Sequence, residues 1–405
     1  MINLHIPVNS LGFGLFSLAY YKIFTETGTD VRVCPINEVP RGSVDGLLED
    51  LEIDKDKFYN SIGEPNKDDT TVTIWHPHEI ARLQTARTIG YTHFEIDDLS
   101  LDAAKQIMKL DNIVVCYQDA VNVIRSSYAK YAAEASLADT KITTVHLIEG
   151  PCVPLMLKKP INTLKEVREL ALSLSKGQTI FGSSGKWEVR KNHPMIIDSI
   201  DALKLPITLV ALWNNVFTGG LAEPIQYLTN HGWQIDQQFT LRGGLGYVFK
   251  NKHGAHVILV PPIERYRDVL SLYRTFDVYL AISSGEGWDM PLAECIGLGV
   301  TAIISKNTAH NVYIQASSSW DISPFVIPCE RVLAYDGRWF KGEGCWFKPK
   351  ENIFMTKLAI MHTSKHDSHM RGPNFTSTLD LCKKEKLAAR FKEVFDGLPD
   401  NAVTT

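Results

Sequence analysis

Short apolar runs alternate with amphipathic stretches along most of the chain, and the two periods predict buried strands alternating with covering helices. INLHIPV, at residues 2–8, is too short for a helix and too apolar for a surface loop, so it predicts a strand. It runs into NSLGFG and then LFSLAYYKIF, an apolar stretch of helical length. The same succession of strand, loop and helix returns downstream. TVTIWHP, NIVVCYQ and ITLVALWNN predict further strands, and RTFDVYLAISS predicts a buried one ending in small residues. After it, Pro291 fits the first turn of a helix, where its missing N–H costs nothing, and Leu292, Cys295, Ile296 and Leu298 follow at helical spacing. A helix is therefore expected from about Met290.

The interruptions are as informative as the runs. Asp45 to Asp69 is acidic and contains Gly and Asn, so it predicts loops, and Asp119 is expected to cap the helix after NIVVCYQ. Prolines in EGPCVPLMLKKP, from Glu149 to Pro160, break any regular element and predict the switch between two domains. Arg242 and the paired glycines of TLRGGLGYV predict a turn, AYDGRWFKGEGCWFKPK a loop-rich edge, and LCKKEKLAARFKEVF a helix near the end. The expected organisation is a domain over 1–155, a second over 161–375, and a final helix and tail over 376–405.

Composition agrees with two cores. A length of 405 residues exceeds the usual size of one, and 44% hydrophobic content fills both. No apolar run is long enough to cross a bilayer, and MINLHIPVNS lacks the zones of a secretory signal, so a cytoplasmic protein is expected. Seven scattered cysteines show no spacing typical of zinc or redox sites and are expected to be reduced core residues. Through Pro160 there are 15 Lys and Arg against 22 Asp and Glu, which disfavours a broad nucleic-acid face there.

The candidate chemistry sits in SSGEGWDMPLAECIGLG. The free amides and positive dipole end of a helix starting near Met290 make a seat for an anion such as a diphosphate, using the amides near Pro291 and Leu292. Glu286 lies in the loop before that seat, and Glu294 one turn inside it, within reach of ribose hydroxyls. In the first domain, Gly12, Phe13 and Gly14 form a loop whose backbone can approach a bound phosphate or acceptor closely. GFGLFS lacks the last glycine of a dinucleotide fingerprint, which disfavours a nicotinamide enzyme. His76 and His78 end a strand where a general acid or acceptor contact belongs, with Glu95 a further cleft candidate.

These residues carry a resemblance. Val260–Ser305 resembles the nucleotide-sugar site of retaining glycosyltransferases of the GT-B fold, of the family-four kind, whose signature is two glutamates separated by seven residues. Phe181–Leu203, FGSSGKWEVRKNHPMIIDSIDAL, resembles the first strand and helix of the same donor domain. That implies two Rossmann-like domains facing a central cleft, an α/β fold, with a C-terminal helix crossing back to the first domain. It implies that Lys186 and Lys191 grip the diphosphate, with Arg190 as the spare candidate. Asn192 stands where the family often has glycine, which leaves the local turn open. The implied reaction transfers a sugar from a UDP- or GDP-linked donor, a co-substrate, to a hydroxyl acceptor with retention, Glu286 contacting the transferred sugar; no cofactor or metal need be invoked.

IPVNSLGFG and GKWEVRK resemble transferases encoded by bacterial viruses, some of which glycosylate hydroxymethylated bases of DNA. Saccharide, lipid-linked, protein and DNA acceptors stay open, with Arg82, Arg87, Arg125 and Lys130 as candidates for a local basic strip. Two other classes also stay open, a nucleotide-sugar epimerase and a noncatalytic sugar-nucleotide-binding protein, as does the oligomeric state.

Overall fold

Strands buried on both faces must be covered by helices on both faces, and the chain solves this twice. The first sheet contains β1 (Ile2–Ile6), β2 (Val31–Pro35), β3 (Thr70–Ile74), β4 (Arg87–Tyr91), β5 (Asn112–Val115) and β6 (Thr144–Leu147). Its order is β2-β1-β3-β4-β5-β6, and all its pairings are parallel. The second sheet contains β7 (Ile180–Lys186), β8 (Thr208–Asn214), β9 (Gln234–Leu241), β10 (Gly244–Lys250), β11 (His256–Leu259), β12 (Val278–Ala281), β13 (Thr301–Ser305) and β14 (Val326–Ile327). Its order is β14-β13-β12-β7-β8-β11-β10-β9, parallel from β14 to β11, with β10 and β9 added antiparallel. This computed structural model describes residues 1–132, 143–215, 219–316, 325–364 and 376–397.

Strand order reverses direction beside β1 in the first sheet and beside β7 in the second, so in each a crevice opens at the carboxyl ends of the strands. The two crevices face each other. The halves are fastened by Arg265, which forks onto the buried carboxylate of Asp50 at 2.6 Å, and by Arg267, which meets Glu52 at 3.3 Å.

The final helix, Lys384–Asp396, packs on the first half, as the resemblance implies. Phe391 is fully buried against Tyr20, Phe24 and Tyr91, at ring-centroid distances of 5.2, 5.1 and 5.8 Å. Arg87 caps the helix by donating to the carbonyls of Val394 and Phe395, so this candidate for a basic strip is a structural residue. Arg82 pairs with Glu79 and Lys130 with Asp98.

Four sequence expectations need correction. The Asp45–Asp69 stretch holds two short helices, Asp45–Asp50 and Lys55–Ser61, the second capped by Asp54 accepting from the Lys57 amide. Asp119 lies inside the first turn of Gln118–Ala132 and accepts from Asn311, so it is not the cap. The aromatic, Gly-rich segment is no loop but a hairpin of β15 (Cys329–Tyr335) and β16 (Lys341–Pro349). It lies against the first half, where Asp97 accepts from the Cys345 amide at 2.8 Å and from Arg331 at 2.6 Å. Gly14 serves the protein itself: a Cβ there would stand 2.2 Å from the Asn9 carbonyl oxygen, so the glycine admits the loop after β1. None of the seven cysteines is joined in a disulfide, and five of them are buried. No helix among the described residues is long and apolar enough to cross a membrane.

Candidate active site

The loop after β7 carries the cations. Lys186 ends the strand, and a 3₁₀ turn, Val189–Lys191, presents Arg190 and Lys191. Asn192 then takes the left-handed conformation, φ 56°, that glycine often supplies. Its side chain compensates by donating to the Ile282 carbonyl and the Ser284 hydroxyl, both at 2.8 Å, which ties this turn to the loop after β12. The Ser284 amide donates to the Arg190 carbonyl, and Arg190 donates in turn to the Gly285 carbonyl, each at 2.7 Å.

That second loop carries the acids. The Glu286 amide donates to Thr308 Oγ1 at 2.8 Å, and its carboxylate meets Lys191 at 2.5 Å and Arg190 at 3.0 Å. Asp289, at φ 62°, is the N-cap of helix Met290–Gly297, with Pro291 in the first turn as expected; its carboxylate accepts from the Leu292 amide. The other oxygen lies 2.8 Å from Nε2 of His310, which is wholly buried. The hinge before the helix is thus fixed from behind.

The first half supplies the opposite wall from the ends of β1, β3 and β4: the Asn9–Leu11 loop, then Gly12 and Phe13, which lie in the first turn of helix Gly12–Glu26 and not in the expected loop, with Trp75, His76, His93 and Glu95. Between the walls lies a cavity of about 580 Å³. Of the sequence candidates, Gly12, Phe13, His76, Lys186, Arg190, Lys191, Glu286, Met290, Pro291 and Glu95 all line it. Gly14, Leu292, Glu294 and His78 do not; His78 instead meets Ser100 at 3.1 Å. Glu294 lies behind the lining, its carboxyl group accepting from the Tyr266 hydroxyl, and Tyr266 is the residue that reaches the cavity. A larger hollow of about 900 Å³ opens by Met1, Asp30 and Val31, at the amino ends of β1 and β2, away from the crevice.

Trp75, His93 and Tyr266 carry no motif. The signal for the first two is their position, just beyond the carboxyl ends of neighbouring parallel strands. Phe13 packs between them, its ring 5.5 Å from Trp75, 4.3 Å from His76 and 5.1 Å from His93.

The walls differ electrostatically. Burial alone would push the Glu286 carboxyl up, but Arg190 and Lys191 outweigh it and hold the group well below the usual carboxylate range. Burial pushes the Glu294 carboxyl up to about 8, so it is protonated at neutral pH. Burial, then the neighbouring His76, lowers His93 to about 3. The surrounding protein and then Lys186 also lower His76, so both imidazoles are neutral donors and acceptors rather than cations.

Two facing Rossmann-like halves, a cleft between them and a helix returning to the first half define the GT-B fold. Solved structures of that fold match nearly end to end. Trehalose-6-phosphate synthase from E. coli, described with UDP-2-fluoro glucose, has a TM-score of 0.61 at 10% identity, over 98% of each chain. A UDP-forming trehalose-phosphate synthase from Burkholderia xenovorans in complex with glucose-6-phosphate has 0.58 at 10%, over 98% of this chain and 99% of that one. A glycosyltransferase from Rickettsia africae has 0.58 at 10%, over 99% of each. No family model and no curated protein matches the sequence.

Proposed function

We propose that the chain is a glycosyltransferase that takes a sugar from a nucleotide-sugar donor and passes it to a hydroxyl acceptor with retention. The observation that carries this is the convergence of Lys186, Arg190, Lys191 and the mouth of helix Met290–Gly297 on one cavity beside Glu286. In the reaction the bond from the anomeric carbon to the diphosphate breaks and its electron pair leaves with the diphosphate. The acceptor oxygen bonds to that carbon from the same face, and its proton passes to the departing phosphate oxygen. Lys186, Arg190 and Lys191, with the helix amides, stabilise the charge that grows on the leaving group in a cleft screened from water. Glu286 bridges those cations and the sugar, and Tyr266 with Glu294 behind it holds the nucleoside side.

A UDP-type donor and retention are read by analogy with structures of the same fold, among them UDP-forming synthases and a trehalose-6-phosphate synthase described with glycosyl transfer with retention. Calorimetric titration with UDP, GDP, UDP-glucose and GDP-mannose tests the reading: saturable binding of one nucleotide sugar, weakened in Lys191→Ala, is the expected result. If none of the four binds, the proposed donor chemistry is wrong.

A further inference from the structure

The charges lining the cavity are divided unequally between its walls. Among the described residues its cations are Lys186 at the end of β7 and Arg190 and Lys191 in the turn after it, whereas its carboxylates are Glu95 from the first half and Glu264, Glu286 and Asp289 from the second. A donor diphosphate draws on this one cluster of cations, in which Arg190 is already shared among Glu95, Glu188 and Glu286. Among the described residues the first-half wall contributes no Lys or Arg to the lining, and its one carboxylate, Glu95, is already met by Arg190 at 3.6 Å, so this wall offers a phosphorylated acceptor no cation of its own.

The acceptor-side wall is built otherwise. Phe13 and Trp75 are half-buried, their rings 5.5 Å apart, and the Trp75 indole N–H donates to Glu79 at 3.0 Å, which fixes the ring. His76 borders the same pair, 4.3 Å from Phe13 and 5.0 Å from Trp75, and in its neutral form offers one donor and one acceptor. A rigid aromatic surface beside a neutral imidazole suits a ring with an apolar C–H face and hydroxyl edges. We infer that the acceptor is an uncharged sugar ring, seated on Phe13 and Trp75, and not a sugar phosphate. This rests on the proposed glycosyl transfer.

The test pairs the donor identified by calorimetry with methyl glucoside and maltose, with glucose 6-phosphate, and with a DNA duplex containing 5-hydroxymethylcytosine, following labelled sugar by mass. Expected are transfer to a neutral glycoside and a kcat/KM at least roughly tenfold lower for glucose 6-phosphate. Trp75→Ala is expected to raise the neutral-acceptor KM by roughly tenfold, with recovery in Trp75→Phe and no change in donor Kd. Preference for glucose 6-phosphate, labelling of DNA without labelling of a neutral glycoside, or an unmoved acceptor KM in Trp75→Ala each overturns the inference while leaving donor binding intact. Absence of donor binding overturns the underlying reading as well.

Discussion

Lys191 Nζ stands 2.5 Å from Glu286 Oε1, across 95 residues of sequence, so the cation assigned to the diphosphate is also the partner of the carboxylate assigned to the sugar. Carboxylate and diphosphate then compete for one ammonium group. Glu286→Gln removes the competing charge but keeps an acceptor in place. It is expected to bind free nucleoside diphosphate more tightly, by roughly tenfold, while glycosyl transfer falls. Titration with UDP and GDP checks it, and an affinity equal to or weaker than the parent's refutes the competition.

Lys191→Ala tests the other partner. Arg190 still meets Glu286 at 3.0 Å, so the variant keeps a paired carboxylate and should fold. Loss of a charge-assisted contact to phosphate is expected to weaken nucleotide-sugar binding by roughly tenfold to a hundredfold, the range for a hydrogen bond to a charged group. Binding within twofold of the parent means that Lys191 serves the fold alone.

Glu294 makes stability depend on pH. Its carboxyl titrates near 8 in the folded chain because burial disfavours the charged form, against about 4.3 in an unfolded chain. Its stabilising contribution is complete below the unfolded value and is lost as pH rises from there towards 8, because only the unfolded chain releases the proton. Glu294→Gln stays neutral and can still accept from Tyr266. Its stability relative to the parent should therefore increase between pH 5 and pH 8, read from urea midpoints at the two values. A difference that does not change with pH would sink the assignment.

The sequence shows most plainly what local chemistry dictates. Buried parallel strands such as NIVVCYQ need continuous apolar runs, and Pro291 marks the first turn of its helix, so both are legible without neighbours. The hairpin β15–β16 is not, because glycines and charges alternate with aromatics in a pair whose outer face meets solvent and whose place is set by Asp97 of the other half. Within the site, Glu286 and Lys191 are legible as types, but their pairing is not. It depends on Asn192 adopting φ 56° and reaching Ile282 and Ser284, a conformation only the fold specifies. Glu294 is likewise visible as half of a motif, while the tyrosine that screens it comes from a helix twenty-eight residues earlier.

Phe391 fastens the returning helix to the first half. It is wholly buried among Tyr20, Phe24 and Tyr91, which cannot close over the space its ring fills. Phe391→Ala should cost ~3–5 kcal/mol, as lost transfer energy and a cavity combine. Chemical denaturation measures it. A loss below about 1 kcal/mol would mean that the helix contributes little to the stability of that half.

Gly285 sets how closely the halves approach. A Cβ at this position would stand 2.2 Å from the backbone oxygen of Glu95, on the opposite wall, where a normal contact needs more than 3 Å. The loop bearing Gly285 cannot retreat cheaply, since Arg190 donates to the Gly285 carbonyl and Thr308 accepts from the next amide. Relief must then come mainly from separation of the walls. Gly285→Ala is expected to leave nucleoside-diphosphate affinity within several-fold of the parent but to reduce transfer by at least roughly tenfold, because a displacement of about 1 Å spoils a near-attack geometry. Small-angle scattering should show a larger radius of gyration. Parent-like transfer, or loss of diphosphate binding as severe as the loss of transfer, would show that close contact between Gly285 and Glu95 is not what brings acceptor and donor together.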